Sequence, residues 1–213
     1  MSTAVGKQFP DLNVDAMNEM GDTIKLNVLE EAVNNKKKVL LFWYPKDFTF
    51  VCPTELHAFQ AALGEFEKRN TIVIGASCDT PEVHFAWLST AKDNGGIEGV
   101  TYPILADSNR NLSSILGILD ITNETYDEAT GTVQVEGDNV SYRATYLIDE
   151  DGLVQHESIN NMPLGRNVNE YLRLIDALTH VQEKGEVCPA NWEEGKDAMA
   201  PNAKGTADYL ASH

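Results

Sequence analysis

The chain predicts a single α/β domain in which helices cover a mixed sheet. Three observations carry that reading. Apolar, β-rich runs alternate with stretches of helical periodicity along most of the 213 residues. Two of those runs, 39–44 and 71–76, are nearly unbroken apolar segments, the pattern of strands covered on both faces. Near residue 150 two further strand patterns meet at a turn of the composition Asp-Glu-Asp-Gly.

Taken in order, residues 39–44 form the first clear strand and run into a proline-broken loop. Leu56, Phe59, Leu63 and Phe66 then recur at helical spacing, one face of a helix. Residues 71–76 form the second strand. A helix opens at Thr80-Pro81-Glu82, where Pro81 suits a first helical position. Residues 142–148 and 153–159 are strands joined by Asp149-Glu150-Asp151-Gly152. Val168, Tyr171, Leu172, Ile175 and Leu178 mark the most regular helix, and Gly185 suits its end. Residues 1–184 are thus expected to form the domain. Residues 185–213 read as a loose arm of Gly, Pro, Ala and charge that needs a surface to lie against.

One segment stands apart. Between Arg110 and Arg143 there is no Lys or Arg, while Asp120, Glu124, Asp127, Glu128, Glu136 and Asp138 accumulate. Thr132-Val133-Gln134-Val135 alternates like a short strand between Gly131 and Gly137. Residues 120–141 therefore read as an acidic surface hairpin or loop. Its carboxylates lack the EF-hand spacing and closing Glu of a calcium loop, so solvation is the preferred reading.

Composition narrows the function. With 16 Lys and Arg against 33 Asp and Glu, the net charge is -17, which argues against nucleic acid or an anionic membrane as partner. No stretch approaches the ~20 apolar residues that span a bilayer. Residues 1–20 lack the basic start and apolar run of a secretory signal, so a cytoplasmic protein is expected. The three cysteines, Cys52, Cys78 and Cys188, are odd in number and dispersed, with no C-x-x-C pair. The five histidines show no metal-ligand spacing, so neither metal nor cofactor is expected.

Cys52 sits where the strand 39–44 passes through its loop into the helix. Free backbone N–H groups and the positive end of the helix dipole favour an anion there. A thiolate is an anion and is the nucleophilic form of cysteine. The competing reading is a buried cysteine acting as a small hydrophobe. A thiol that attacks peroxide needs donors for the departing oxygen and a narrow, dry pocket. Pro45 can wall such a pocket without offering a donor. Thr49, three residues ahead of Cys52, is expected one turn away with its hydroxyl aimed at the sulfur. Arg143, on the apolar stretch Ser141-Tyr142-Arg143-Ala144-Thr145-Tyr146, is either a strand-edge charge reaching water or the cation that faces the thiolate. Glu55 can hold such an arginine by a charge-assisted pair. Cys78 follows a buried strand and reads as structural.

The segment Tyr44-Pro45-Lys46-Asp47-Phe48-Thr49-Phe50-Val51-Cys52-Pro53-Thr54-Glu55-Leu56 resembles the active-site signature of typical 2-Cys peroxiredoxins, including the bacterial alkyl hydroperoxide reductase C group. The resemblance continues through Gly75-Ala76-Ser77-Cys78-Asp79, His84-Phe85-Ala86-Trp87, Tyr142-Arg143 and Gly185-Glu186-Val187-Cys188-Pro189-Ala190-Asn191-Trp192, and so covers the whole chain. It implies a thioredoxin fold with an N-terminal extension and a C-terminal arm, assembled as homodimers and commonly as rings of five dimers. It implies that Cys52 is the peroxidatic cysteine, with Thr49, Pro45 and Arg143 in its pocket. Glu55, Trp87 and Arg166 match supporting positions. Cys188 matches the resolving cysteine, which serves the partner subunit. The implied reaction is reduction of hydrogen peroxide and small organic hydroperoxides, with electrons from a thioredoxin-like or flavoprotein disulfide reductant. A ring-forming, redox-regulated chaperone or peroxide sensor is the alternative.

Two departures bear on regulation. Gly95-Gly96-Ile97-Glu98 only partly resembles the Gly-Gly-Leu-Gly loop of peroxide-sensitive members, and Tyr209-Leu210 stands where those members carry Tyr-Phe. Intermediate to robust resistance to over-oxidation is expected. The acidic segment is longer than the family pattern.

Overall fold

A seven-stranded mixed sheet organises the first of two compact units, which closes at Arg166; the second is Asn167–His213. The computed structural model describes residues 3–213. In chain order the first unit holds β1 (Asn13–Met17), β2 (Thr23–Asn27), α1 (Val28–Asn35), β3 (Lys38–Trp43), α2 (Cys52–Ala61), α3 (Leu63–Lys68) and β4 (Thr71–Ser77). It continues with α4 (Pro81–Leu88), β5 (Ile104–Ala106), α5 (Asn111–Leu116), β6 (Asn123–Asp127), β7 (Thr132–Glu136), β8 (Arg143–Ile148) and β9 (Val154–Asn160). The sheet order is β2-β1-β5-β4-β3-β8-β9. β3, β4 and β5 run parallel, whereas β8 and β9 are antiparallel.

β3 is buried at all six positions, as its unbroken apolar run predicts. Alternation sends Val39, Leu41 and Trp43 into one core with Ile74, Ala76, Tyr146 and Ile148. Phe42 points to the other face and stacks on Phe59 of α2 at 4.0 Å between ring centroids. Such a pair contributes about 0.5–1.5 kcal/mol beyond its burial. That contact seats α2, and with it Cys52, over the carboxyl end of the central strand. Even Lys38 is buried, its ammonium 2.7 Å from Glu150.

The helix expected across Leu56–Phe66 breaks at Ala62, where φ is -94° and ψ is 1°. α3 restarts at Leu63, and the apolar stripe keeps its direction because Phe66 still stacks near Phe59 at 6.1 Å. The short strands β1 and β2 near one edge of the sheet, with α1, β5 and α5, were not evident in the sequence. β2 exposes its first three residues, so neither strand shows a clean alternation.

The acidic segment is a hairpin. β6 and β7 pair from Asn123↔Glu136 to Asp127↔Thr132, and no residue of either strand is buried. Gly137 closes its base at φ +110°, where a Cβ would meet the Asp120 carbonyl oxygen at 2.3 Å. The hairpin springs from the start of β8, with the Asp120 N–H donating to the Val140 carbonyl at 2.8 Å and the Tyr142 N–H to that of Ile118 at 2.8 Å.

In the second unit α6 (Val168–Lys184) is capped by Asn167, whose side-chain oxygen accepts from the Asn169 N–H, and ends at Gly185 with φ +65°. The segment beyond Gly185 is more ordered than the loose arm that its composition predicts. Val187 and Met199 exchange backbone hydrogen bonds, and α7 (Ala203–Ser212) starts at the Asn202 cap. Trp192 is buried, lies 4.9 Å from the His180 ring, and its carbonyl accepts from Arg173. Among the described residues no helix is long and apolar enough to cross a membrane.

Candidate active site

Cys52 is the first residue of α2 and is fully buried. The loop before it holds Phe48 at φ +54°, a left-handed conformation that costs a residue with a Cβ about 1–2 kcal/mol. The helix itself begins only after Val51, its N-cap residue. Pro53 follows Cys52 within the first turn and supplies no N–H, so the donors there are fewer than a generic helix start offers.

The charge at the sulfur comes from Arg143. Its Nη1 lies 3.4 Å from Cys52 Sγ and donates to Glu55 Oε2 at 2.7 Å. The Arg143 Nε donates to the Met162 carbonyl at 2.6 Å, which fixes the plane of the guanidinium. Arg143 is not a strand-edge charge. β8 runs between β3 and β9, and Arg143 is 3% exposed.

Glu55 is shared between two arginines. Arg166 reaches it with its backbone N–H at 3.0 Å, Nε at 2.9 Å and Nη2 at 2.8 Å. Arg166 also donates through Nη1 to the Ala144 carbonyl and to Thr145 Oγ1, and lies over the rings of Phe42 and Phe59. Burial alone would push the Glu55 carboxyl up. The hydrogen bonds and charge of Arg166, with Arg143 beside them, outweigh it and hold the group below the ordinary carboxylate range.

The other expected residues are distributed as follows. Pro45 is buried at the exit of β3. Thr49 lies in the loop rather than on a helical turn, and its hydroxyl donates to the Lys46 carbonyl at 2.9 Å. No hydrogen bond joins Thr49 to Cys52 among the described residues. Trp87, fully buried on α4, donates to the Gly95 carbonyl at 2.9 Å, and its ring lies 5.8 Å from Phe48 and 5.9 Å from Tyr44. The neighbouring Gly96 carbonyl meets His57 Nε2 of α2 at 3.0 Å, and a Cβ at Gly96 would fall 1.9 Å from the Thr90 carbonyl oxygen. The partial Gly-Gly motif thus braces α2 and Trp87 together.

Cys188 belongs to the second unit and is half-buried. Its Sγ lies 3.7 Å from the Ala177 carbonyl oxygen. Burial pushes its thiol above the ordinary value, with Arg173 opposing and Glu186 adding to the rise. Cys78 is buried, its Sγ 3.7 Å from Ser113 Oγ; burial pushes this thiol up as well. All three cysteines are free.

Sequence reasoning missed three contributors. The Met162 carbonyl leaves no side-chain signature. Asp47 and His84 stand inside motifs that carry the resemblance, yet only the fold brings them to 2.7 Å of each other beside the loop.

Residues 5–157 match the family model of the AhpC/TSA family, and residues 177–212 match that of the C-terminal domain of 1-Cys peroxiredoxin. The chain belongs to the AhpC/TSA family of peroxiredoxins. It is 39% identical over 209 residues to alkyl hydroperoxide reductase C of Helicobacter pylori, covering 97% of this chain and 96% of that protein. It is 38% identical to the chloroplastic 2-Cys peroxiredoxin BAS1 of Hordeum vulgare, over 98% of this chain and 90% of the relative. Among solved structures, reduced 2-Cys peroxiredoxin of Plasmodium vivax matches with a TM-score of 0.87 at 39% identity, covering 99% of this chain and all of that one. The fold is the peroxiredoxin form of the thioredoxin fold. This peroxiredoxin is a thiol-dependent peroxidase, and these relationships favour that activity over a chaperone.

Proposed function

We propose that Cys52 is the peroxidatic cysteine and that Cys188 of the partner subunit resolves it. The contact that carries this reading is Arg143 Nη1 at 3.4 Å from the Cys52 sulfur, a permanent cation against a buried nucleophile. The Cys52 thiolate attacks the terminal oxygen of a hydroperoxide. The O–O bond breaks, an S–O bond forms, and the departing alkoxide or hydroxide takes a proton to leave as alcohol or water. Arg143 can meet the charge that develops on those oxygens. Pro45 walls the site without a competing donor. Thr49 keeps acceptor lone pairs for the peroxide proton while its own hydrogen is held by Lys46. Glu55, Arg166 and Trp87 hold this set in place.

The Cys52 sulfenic acid then condenses with the Cys188 thiol, releasing water and forming a disulfide. A thioredoxin-like or flavoprotein reductant supplies two electrons and two protons to restore both thiols. A disulfide needs Cα atoms within about 7 Å. The first turn of α2 and the segment around Cys188 therefore unwind locally in each cycle. Homodimers, assembling into rings of five, and a cytoplasmic location complete the reading, as does the arm boundary at residue 185. With a partial Gly-Gly motif and Leu210 in place of an aromatic residue, over-oxidation is intermediate to slow.

The test is peroxide consumption with excess dithiol. Cys52→Ser is expected to abolish turnover. Cys188→Ser is expected to permit the first oxidation but to block recycling by a thioredoxin-type protein. Turnover surviving in Cys52→Ser would overturn the assignment.

A further inference from the structure

The acidic hairpin β6–β7 takes no part in the chemistry at Cys52, yet it is mounted firmly beside it. At its base the Thr122 N–H donates to the Glu136 carbonyl at 2.9 Å, and the Asn139 N–H to that of Asp120 at 3.2 Å. Arg110 Nε donates to the Asn139 carbonyl at 2.8 Å, and Tyr142 Oη donates to Asp120 Oδ1 at 2.7 Å. Tyr142 directly precedes Arg143, whose guanidinium meets the Cys52 sulfur. From that base the two strands, each of five residues, extend roughly 17 Å.

The hairpin has two unlike faces. Pairing sets Tyr126 against Val133 and Glu124 against Val135, and alternation puts these four on one side. The other side carries only Asn, Thr, Asp, Gln and Glu. Tyr126 is 63% exposed, Val133 60% and Val135 40%, so the apolar side lies open on the chain. A two-stranded hairpin is marginal by itself. An aromatic ring and two aliphatic side chains within a charged border have the makeup of an interface centre and its rim.

Charge selects the occupant. Residues 120–138 hold Asp120, Glu124, Asp127, Glu128, Glu136 and Asp138 and no Lys or Arg. A second copy of a chain with net charge -17 would bring like charge to this face, and so would a nucleic acid or an anionic membrane. A small molecule favours an enclosed, concave site rather than an open two-stranded face. A protein whose apolar patch is set among Lys and Arg fits. The proposed cycle calls one other protein to this chain, the dithiol that reduces the Cys52–Cys188 disulfide.

We infer that the Tyr126–Val133–Val135 face of the hairpin, with its carboxylate rim, docks the disulfide reductant, a dithiol protein whose active-site surface is basic around an apolar centre. This rests on Cys52 and Cys188 forming the catalytic disulfide. In the docked complex one reductant thiolate attacks a sulfur of that disulfide and expels the other cysteine as a thiolate, which takes a proton. The second reductant thiol, deprotonated, closes the reductant's own disulfide and releases the remaining enzyme sulfur, which is protonated in turn. The hairpin makes and breaks no bond. It raises the rate of productive encounter.

The experiment follows reduction of the peroxide-formed disulfide in the full chain, by rapid mixing, alkylation of free thiols and mass spectrometry. The probes are a thioredoxin-type dithiol protein with lysines added around its active site, and dithiothreitol. Glu124→Gln, Glu128→Gln and Glu136→Gln together are expected to slow the protein probe about ten-fold at low ionic strength. Most of that difference is expected to vanish by about 0.5 M salt, where screening is short-ranged. Tyr126→Ser with Val133→Ser is expected to slow the protein probe about ten-fold at every ionic strength. Dithiothreitol needs no docking and is expected to reduce every variant at the parental rate. Glu19→Gln, Glu30→Gln and Glu67→Gln together change the net charge equally and are expected to keep most of the parental rate. An equal loss in that control, parental rates in both hairpin variants, or equal slowing of dithiothreitol would overturn the docking site. So would a change in the sedimentation of the hairpin variants, which would give the face to a second copy. If Tyr126→Ser with Val133→Ser loosens the hairpin by circular dichroism, the glutamine variant decides alone. If peroxide fails to join Cys52 to Cys188 in the parent, the underlying reading and the docking fall together. A disulfide that forms and is reduced at the parental rate in the hairpin variants breaks only the docking.

Discussion

Glu55 shows how a single residue balances the site. Two guanidinium groups converge on one carboxylate that is 4% exposed, so each charge is tolerable only while the others are present. Replacing Glu55 with Gln leaves both arginines short of a counter-charge and frees Arg143 to turn from Cys52. The expected loss is about 3–5 kcal/mol of stability at neutral pH by urea unfolding, the scale of breaking a buried pair. The pH dependence follows from the lowered Glu55 carboxyl. Its contribution is complete above the unfolded carboxylate range, near about pH 4.3, and drains away as pH falls through the lower folded value. The gap between parent and Glu55→Gln is thus expected to narrow only on the acid side. A gap independent of pH would mean that shape, not charge, accounts for it. The residue types of this cluster were legible in the sequence. Its sharing was not, because Glu55, Arg143 and Arg166 come from three distant stretches of chain.

At the level of secondary structure, the proposed cycle asks α2 to be stable enough to present Cys52 and weak enough to release it. Phe42 stacks on Phe59 in its last turn, while its N-cap residue, Val51, supplies no side-chain hydrogen bond. The helix start lacks a capping side chain and is held chiefly through Glu55, whose carboxylate meets Arg143 and Arg166. Hydrogen exchange is expected to be faster for residues 51–55 and for residues around Cys188 in the disulfide form than in the reduced form. Equal protection in both forms would remove the local-unfolding step. The strong elements, β3, β4, α4 and α6, were legible because their periodicity and caps are local. β1, β2 and β5 were not, since short strands take their shape from neighbours rather than from pattern.

For the protein as a whole, the expected assembly is a homodimer that closes into a ring; the proposed resolving cysteine on a partner would make one chain an incomplete enzyme. Sedimentation of the reduced protein at micromolar concentration is expected to show a ten-chain species. A monomer in both redox states would contradict this. Phe50, at 95% exposed, and Met20, at 77%, are large apolar side chains left in water on a single chain. The acidic hairpin β6–β7 adds a charged projection rooted just before Arg143, where the Ser141 hydroxyl donates to the Tyr44 carbonyl at 2.9 Å.

The kind of chemistry was readable from the chain alone. Cys52 at a strand-to-helix join, with Pro45, Thr49 and a motif running the length of the chain, leaves little room for another reaction. Each of those signals is local, a short run of residues readable without knowing what it packs against. How the sulfur is served emerged only on folding. The fold buried Arg143 inside the sheet, gave Glu55 to two arginines, moved Thr49 off the helix and closed Asp47 onto His84. Most of these contacts join residues remote in sequence. Their energies depend on burial and distance, which no spacing along a chain records.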